Sequence, residues 1–183
     1  MDRKFIVPNT VTPNPVTFEE AIALTQSLLA RMEHNDLSEV EVEAAIAALV
    51  HTENGARGFF VTYLTDTRPL ADQPSMAVVQ ALRTAPTVVA ELLVKNLAMS
   101  TAMAMHHRRN QDAAMAASSD QVRLRTANLI QLVQLPEVQD RGQQLRESAV
   151  TGTGDYAAFL TRWGYDEEQR QAIRDVLTQV IPW

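Results

Sequence analysis

The sequence predicts an all-α, single-domain bundle of about eight helices around a long central helix at about 86–110, with an extended N-terminal arm over residues 1–16 and the helical domain over 17–183. Three observations lead there. Apolar residues recur at helical spacing in most segments, and several of those segments open on a capping signature. No segment offers a convincing strand together with a pairing partner, and a lone strand would leave its backbone groups unmet. The stretch from Pro86 to Asn110 carries apolar residues on two opposite sides of a helical wheel. Val88, Leu92, Met99 and Met103 gather on one side; Ala90, Leu93, Val94, Leu97 and Ala104 gather on the other. A surface helix needs one apolar stripe, so two argue for a helix packed between neighbours. It is long enough to cross a bilayer, but Glu91, Lys95 and Asn96 lie near its middle, where a charge in lipid costs several kcal/mol.

Taken in order, Pro8, Pro13 and Pro15 stand among Thr and Asn and favour an extended arm, because proline lacks the backbone donor and fixes φ. With only Phe5 to Val7 as an apolar run, residues 1–16 are not expected to form a signal peptide. Thr17 and Glu20 form a capping box, and Ala21, Leu24, Leu28 and Met32 carry a helix to about Glu33. Ser38 and Glu41 open a second box, with Gly55 as the expected stop. The run from Arg57 to Asp66 has strand-forming Phe, Val, Thr and Tyr but no partner, and is assigned as a short helix. A loop follows at 67–75, after which Ser75 is expected to cap a helix to about Arg83. Pro86 suits the first turn of the central helix.

Beyond Asn110 the small residues of QDAAMAASSD either continue the central helix or form a loop before Ser119 or Asp120 caps the next one, which runs to Leu135. Pro136 begins a polar helix to about Val150, and Thr151 to Gly154 is a turn. Asp155 is expected to cap Tyr156–Trp163, Gly164 to end it, and Asp166 with Gln169 to open the last helix. Its acidic start, Asp166-Glu167-Glu168, argues against a DNA-reading helix and for a helical hairpin.

The chain has no Cys, which removes disulfides, thiolate ligands and thiol nucleophiles together. Net charge is −6, unevenly spread: 3 basic and 9 acidic residues over 1–54, 8 and 5 over 55–134, 5 and 8 over 135–183. The expected resolution is that these thirds neutralise one another within one fold, with an anionic partner on the middle third as the alternative. Nucleic acid is disfavoured, since its binders show a clustered basic face and a basic overall balance.

The conspicuous polar cluster is His106, His107, Arg108 and Arg109 at the end of the central helix. The helix dipole favours cations there by about 0.3–1 kcal/mol without any ligand, while forked guanidinium donors also suit a phosphate or carboxylate. Adjacent histidines point about 100° apart and are poorly placed to share a metal. Asn96, Ser100 and His107 form a polar stripe between the two apolar faces. Glu91 and Lys95 read first as a helix-stabilising i,i+4 pair, worth about 0.2–0.5 kcal/mol. Gly55-Ala-Arg-Gly58 lacks the lysine and the spacing of a phosphate loop, so a helix C-cap is expected instead. No catalytic motif stands out, and the sequence assigns no cofactor and no metal.

Two functions follow as expectations. The first is a cytoplasmic α-helical protein-interaction or regulatory protein that self-associates, with a protein partner and without nucleic acid or membrane. The alternative is a helical small-molecule or anion-binding module, an enzyme included, whose pocket lies beside the central helix and is lined by Asn96, Ser100, His107, Arg108 and Arg109.

Overall fold

The computed structural model describes residues 15–181, so the expected arm over 1–16 lies outside the described residues apart from Pro15 and Val16. Among the described residues there are nine α-helices and no strand: α1 Phe18–Glu33, α2 Glu39–Val50, α3 Glu53–Thr65, α4 Met76–Arg83, α5 Pro86–Arg109, α6 Ala113–Val133, α7 Pro136–Thr151, α8 Ala157–Arg162 and α9 Glu167–Val180. A 3₁₀ turn at Pro69–Ala71 interrupts the loop before α4. The all-α class and the long central helix hold, and the run from Arg57 to Asp66 is helical as far as Thr65.

All three capping boxes close: Thr17 with Glu20, Ser38 with Glu41, and Asp166 with Gln169. Each satisfies two of the orphan donors at a helix start. Four boundary expectations are corrected. Gly55 does not stop α2; that helix ends at Val50, and Thr52 caps α3 by accepting from Gly55 N at 3.1 Å. Gly55 sits in the first turn of α3 because a Cβ there would lie 2.0 Å from the Leu49 carbonyl oxygen, so the two helices meet too tightly for a side chain. Ser119 and Asp120 do not cap a helix but lie inside α6. The break falls at residues 110–112, where Gln111 adopts φ 57 and Asp112 accepts from Met115 N at 3.1 Å. Ser75 occupies the N-cap position of α4 without capping; Glu39 of α2 instead accepts from Ala77 N at 3.2 Å. Tyr156, not Asp155, precedes α8.

Helix α5 is the axis of the bundle. It packs most extensively on α6, then on α9 and α7, with α3 and α4 on its remaining sides, while α1 pairs with α3 and α2 with α4. By length and mean hydropathy it qualifies as a membrane span, but half of the qualifying stretch is buried inside the bundle, as for a core helix. Its two apolar faces do different jobs. Ala90, Leu93, Val94, Leu97 and Ala104 are fully buried, each large aliphatic one adding about 1.5–3 kcal/mol on transfer from water. Val88, Leu92, Met99 and Met103 are only half-buried.

The rest of the core grows from α3, where Phe59 stacks on Tyr63 at 5.1 Å between centroids and meets Phe60 edge-on at 5.4 Å. Polar groups lock the helices in place. Arg83 at the end of α4 donates to the carbonyls of Val133 and Leu132, both at 3.0 Å, satisfying the C-terminus of α6. Gln169 of α9 reaches the Ala102 carbonyl of α5 at 3.1 Å.

Arg125 of α6 is heavily engaged and only 2% exposed. Its guanidinium donates to both carboxylate oxygens of Asp72, at 2.7 and 3.1 Å. It also donates to the carbonyls of Leu64 at 3.0 Å, Asp66 at 2.7 Å and Arg68 at 3.3 Å. One buried cation thus gathers the end of α3 and the loop after it. Tyr63 adds a hydrogen bond from its hydroxyl to the Leu70 carbonyl at 2.9 Å.

Candidate functional site

The half-buried face of α5 forms the floor of a groove of about 790 Å³. Val88, Leu92 and Met99 supply its apolar part and Glu91, Lys95 and Asn96 its polar part. These positions share a face because they recur at three- and four-residue intervals on one helix. One wall is α3, through Arg57, Phe60, Val61 and Leu64, and Phe18 at the start of α1 adjoins it. Arg57 lies over the Phe18 ring, 5.2 Å from its centroid. Arg141 of α7 and Phe159, Arg162 and Trp163 of α8 and its C-cap also line the groove. Val61 and Trp163 are 45% and 48% exposed, so the groove opens to solvent between apolar lips.

A charged network crosses the floor. The Glu91 carboxylate meets Lys95 Nζ at 2.7 Å and Arg141 Nε at 3.6 Å, and accepts a 2.5 Å hydrogen bond from the Tyr156 hydroxyl. The Lys95 ammonium lies 5.8 Å from the Tyr156 ring centroid and 5.7 Å from that of Phe159. Residues from α5, α7 and the start of α8 therefore converge on one carboxylate. The turn before α8 delivers Tyr156: Gly152 adopts φ 71 after α7, and Ser148 Oγ accepts from Tyr156 N at 3.2 Å.

Burial raises the Glu91 pKa, but the hydrogen bonds from Lys95 and Tyr156 and the charges of Lys95 and Arg141 outweigh it and hold the carboxyl below its ordinary value. Burial first, then the hydrogen bond to Glu91 and its charge, push the Tyr156 hydroxyl well above its usual range. At neutral pH Glu91 is the acceptor and Tyr156 the donor. A carboxyl depressed in the folded state contributes stability above its unfolded pKa, and that contribution is lost as pH falls through the folded value. Glu91→Gln is therefore expected to flatten the acid limb of stability against pH, read by urea midpoints from neutral to acidic pH. An unchanged acid limb would contradict this role.

Of Asn96, Ser100, His107, Arg108 and Arg109, expected from the sequence to line a pocket, only Asn96 is among the groove residues. Ser100 is buried and donates to the carbonyls of Asn96 at 2.6 Å and Leu97 at 3.2 Å on its own helix. His107 is half-buried, its ring edge-on to that of His106 at 5.5 Å. Arg108 pairs with Asp120 of α6, and Arg109 with Asp166 and Glu168 at the start of α9. The hydrogen bond from Arg109 and its nearby charge hold the Asp166 carboxyl below its ordinary value. These two arginines fasten the end of α5 to its neighbours. The floor network was visible in sequence only as Glu91 and Lys95; Tyr156 and Arg141 lie 65 and 50 positions away from Glu91, beyond any local pattern. Among the described residues, no cluster of three or more His, Asp or Glu side chains is placed to hold a metal ion.

A family model described as uncharacterised conserved protein UCP020893 matches residues 17–180. Every groove residue named above falls within that span, so the groove belongs to the segment that the family model covers. No curated protein and no solved structure matches the chain.

Proposed function

We propose that this chain, which belongs to the family whose model it matches, is a helical binding module that holds a small organic molecule in the groove beside α5. The observation that carries this is the pairing of an apolar floor with a converging charged network in one open cleft of about 790 Å³. Small-molecule sites typically combine mostly apolar walls with a few placed polar groups in clefts of about 300–1,000 Å³, and bundles build them between helices. The anion-binding alternative drawn from the sequence is thereby moved from Arg108 and Arg109, which face acidic partners, to the cations of the cleft.

The test uses the anionic fluorophore 1-anilinonaphthalene-8-sulfonate and a variant that fills the cleft, Met99→Trp. The expected result is saturable one-to-one binding to the native chain and its loss in Met99→Trp, with far-ultraviolet circular dichroism unchanged. Binding that ignores the Met99→Trp substitution, or no binding at all, contradicts the proposal.

A protein-interaction role through self-association is a second proposal. It draws on Val40, Met76, Leu124 and Val150, large apolar side chains that are 76%, 65%, 61% and 67% exposed. Single exposed apolar residues are ordinary on monomers, so this support is thinner. Light scattering decides it: a dimer mass that falls to a single chain in Leu124→Glu supports it, and a single-chain mass for the unaltered protein contradicts it.

A further inference from the structure

The charge inside the groove is opposite to that of the chain as a whole. Arg57, Lys95, Arg141 and Arg162 bring four cations to its lining, against two carboxylates, Glu53 and Glu91, in a protein of net charge −6. Glu91 already faces Lys95 and Arg141, and Arg57 lies over the Phe18 ring. Arg162 differs from them: among the described residues it makes no hydrogen bond and no ion pair. It is exposed, on the last residue of α8, beside Trp163. A guanidinium fork without a partner among the described residues, lining an apolar cleft, suits a carboxylate or phosphate, which can take two parallel hydrogen bonds from it.

The floor sets the shape of the rest of the molecule. From Val88 to Met99 the helix advances about 16 Å at 1.5 Å per residue, and Val88, Leu92 and Met99 are spaced along it on the groove side. Near one end of it the Glu91 carboxylate already engages Lys95 and Arg141, so the negative end of a ligand is left to Arg162 and its apolar body to the floor. We infer, on the reading of the groove as a small-molecule site, that its ligand is a single-chain amphiphile with an anionic head. The head is met by Arg162 at the rim, and the apolar body lies along Val88, Leu92 and Met99 with Trp163 against its side.

The experiment is a calorimetric titration of the full chain at neutral pH with four ten-carbon probes: decanoate, decyl phosphate, decanol and decyltrimethylammonium. The indole emission of Trp163 is followed in a Trp183→Phe background. Both anions are expected to bind one to one, decanol about tenfold more weakly, and the cation more weakly still. The tighter of the two anions identifies the head group. Arg162→Gln is expected to lower decanoate affinity about tenfold and to leave decanol affinity unchanged. Decanol binding as tightly as decanoate, or Arg162→Gln binding decanoate like the unaltered chain, overturns the assignment of an anionic head while leaving the groove as a binding site. If none of the four probes binds, the groove proposal itself falls, and this inference with it.

Discussion

Replacing Arg125 with methionine is expected to cost about 3 kcal/mol or more of folding stability, a large share of the roughly 5–15 kcal/mol that a domain has. The side chain is almost fully enclosed and satisfies three backbone carbonyls and one carboxylate at once. Methionine keeps much of the length and apolar stem but no donor, so the carbonyls of Leu64, Asp66 and Arg68 are left wanting partners in a site built to exclude water. The Asp72 side chain is 45% exposed and can turn to solvent, so its share is smaller. Asp72→Asn is accordingly expected to cost about 1 kcal/mol or less. Urea unfolding of both variants separates the contributions. Equal midpoints for Arg125→Met and the unaltered chain would refute the clasp, and an Asp72→Asn loss as large as that of Arg125→Met would make the ion pair, not the carbonyls, its source. Because Leu64 also lines the groove, Arg125→Met is expected to weaken probe binding along with the fold.

Gly58→Ala is the second change with a large effect, and its sign runs against helix propensity. In an open helix the substitution would stabilise by about 1 kcal/mol. Here a Cβ on residue 58 would lie 2.4 Å from Ala21 Cβ and 3.0 Å from both Ile22 N and the Phe18 carbonyl oxygen. Two of those atoms are backbone and cannot rotate away, so α1 and α3 must separate at this contact. Overpacking of this kind costs about 1–3 kcal/mol, and a net loss near 2 kcal/mol is expected. Thermal and urea unfolding of Gly58→Ala measure it. Adding Ala21→Gly is expected to recover part of the loss, since it removes the nearest of the three contacts and leaves the backbone ones. A stabilised Gly58→Ala would mean that the two helices meet less tightly than described.

What the sequence disclosed follows from range. Capping boxes are local, three residues across, and each of the three closes as its spacing requires. The periodicity of α5 is also local, and helix is preferred to strand for the run from Arg57 to Asp66 because no other segment offers a pairing partner. Starts and stops were less legible where two cues competed. Gly55 resembles a C-cap in sequence, yet it is required by the closeness of α2 and α3. Ser119 and Asp120 resemble N-caps in sequence, yet the chain turns at the left-handed Gln111 and it is Asp112 that caps α6.

The site was legible only in its α5 portion. Glu91, Lys95 and Asn96 stood out on the central helix, but Arg141, Tyr156, Phe159 and Arg162 join them through tertiary packing that no spacing announces. Arg125 gave no local signal at all, being one arginine in an otherwise ordinary helical stripe. The uneven charge along the chain resolves partly by pairing across the fold: Arg68 with Glu33, Arg109 with Asp166 and Glu168, and Arg141 with Glu91.

Chemical-shift mapping of methyl and indole groups during a titration with 1-anilinonaphthalene-8-sulfonate tests most directly whether the half-buried face of α5 is a binding floor. Perturbations concentrated on the methyls of Val88, Leu92 and Met99 and on the Trp163 indole are expected. Perturbations that spare those groups and gather at Val40, Leu124 or Val150, or none at saturating probe, would contradict it.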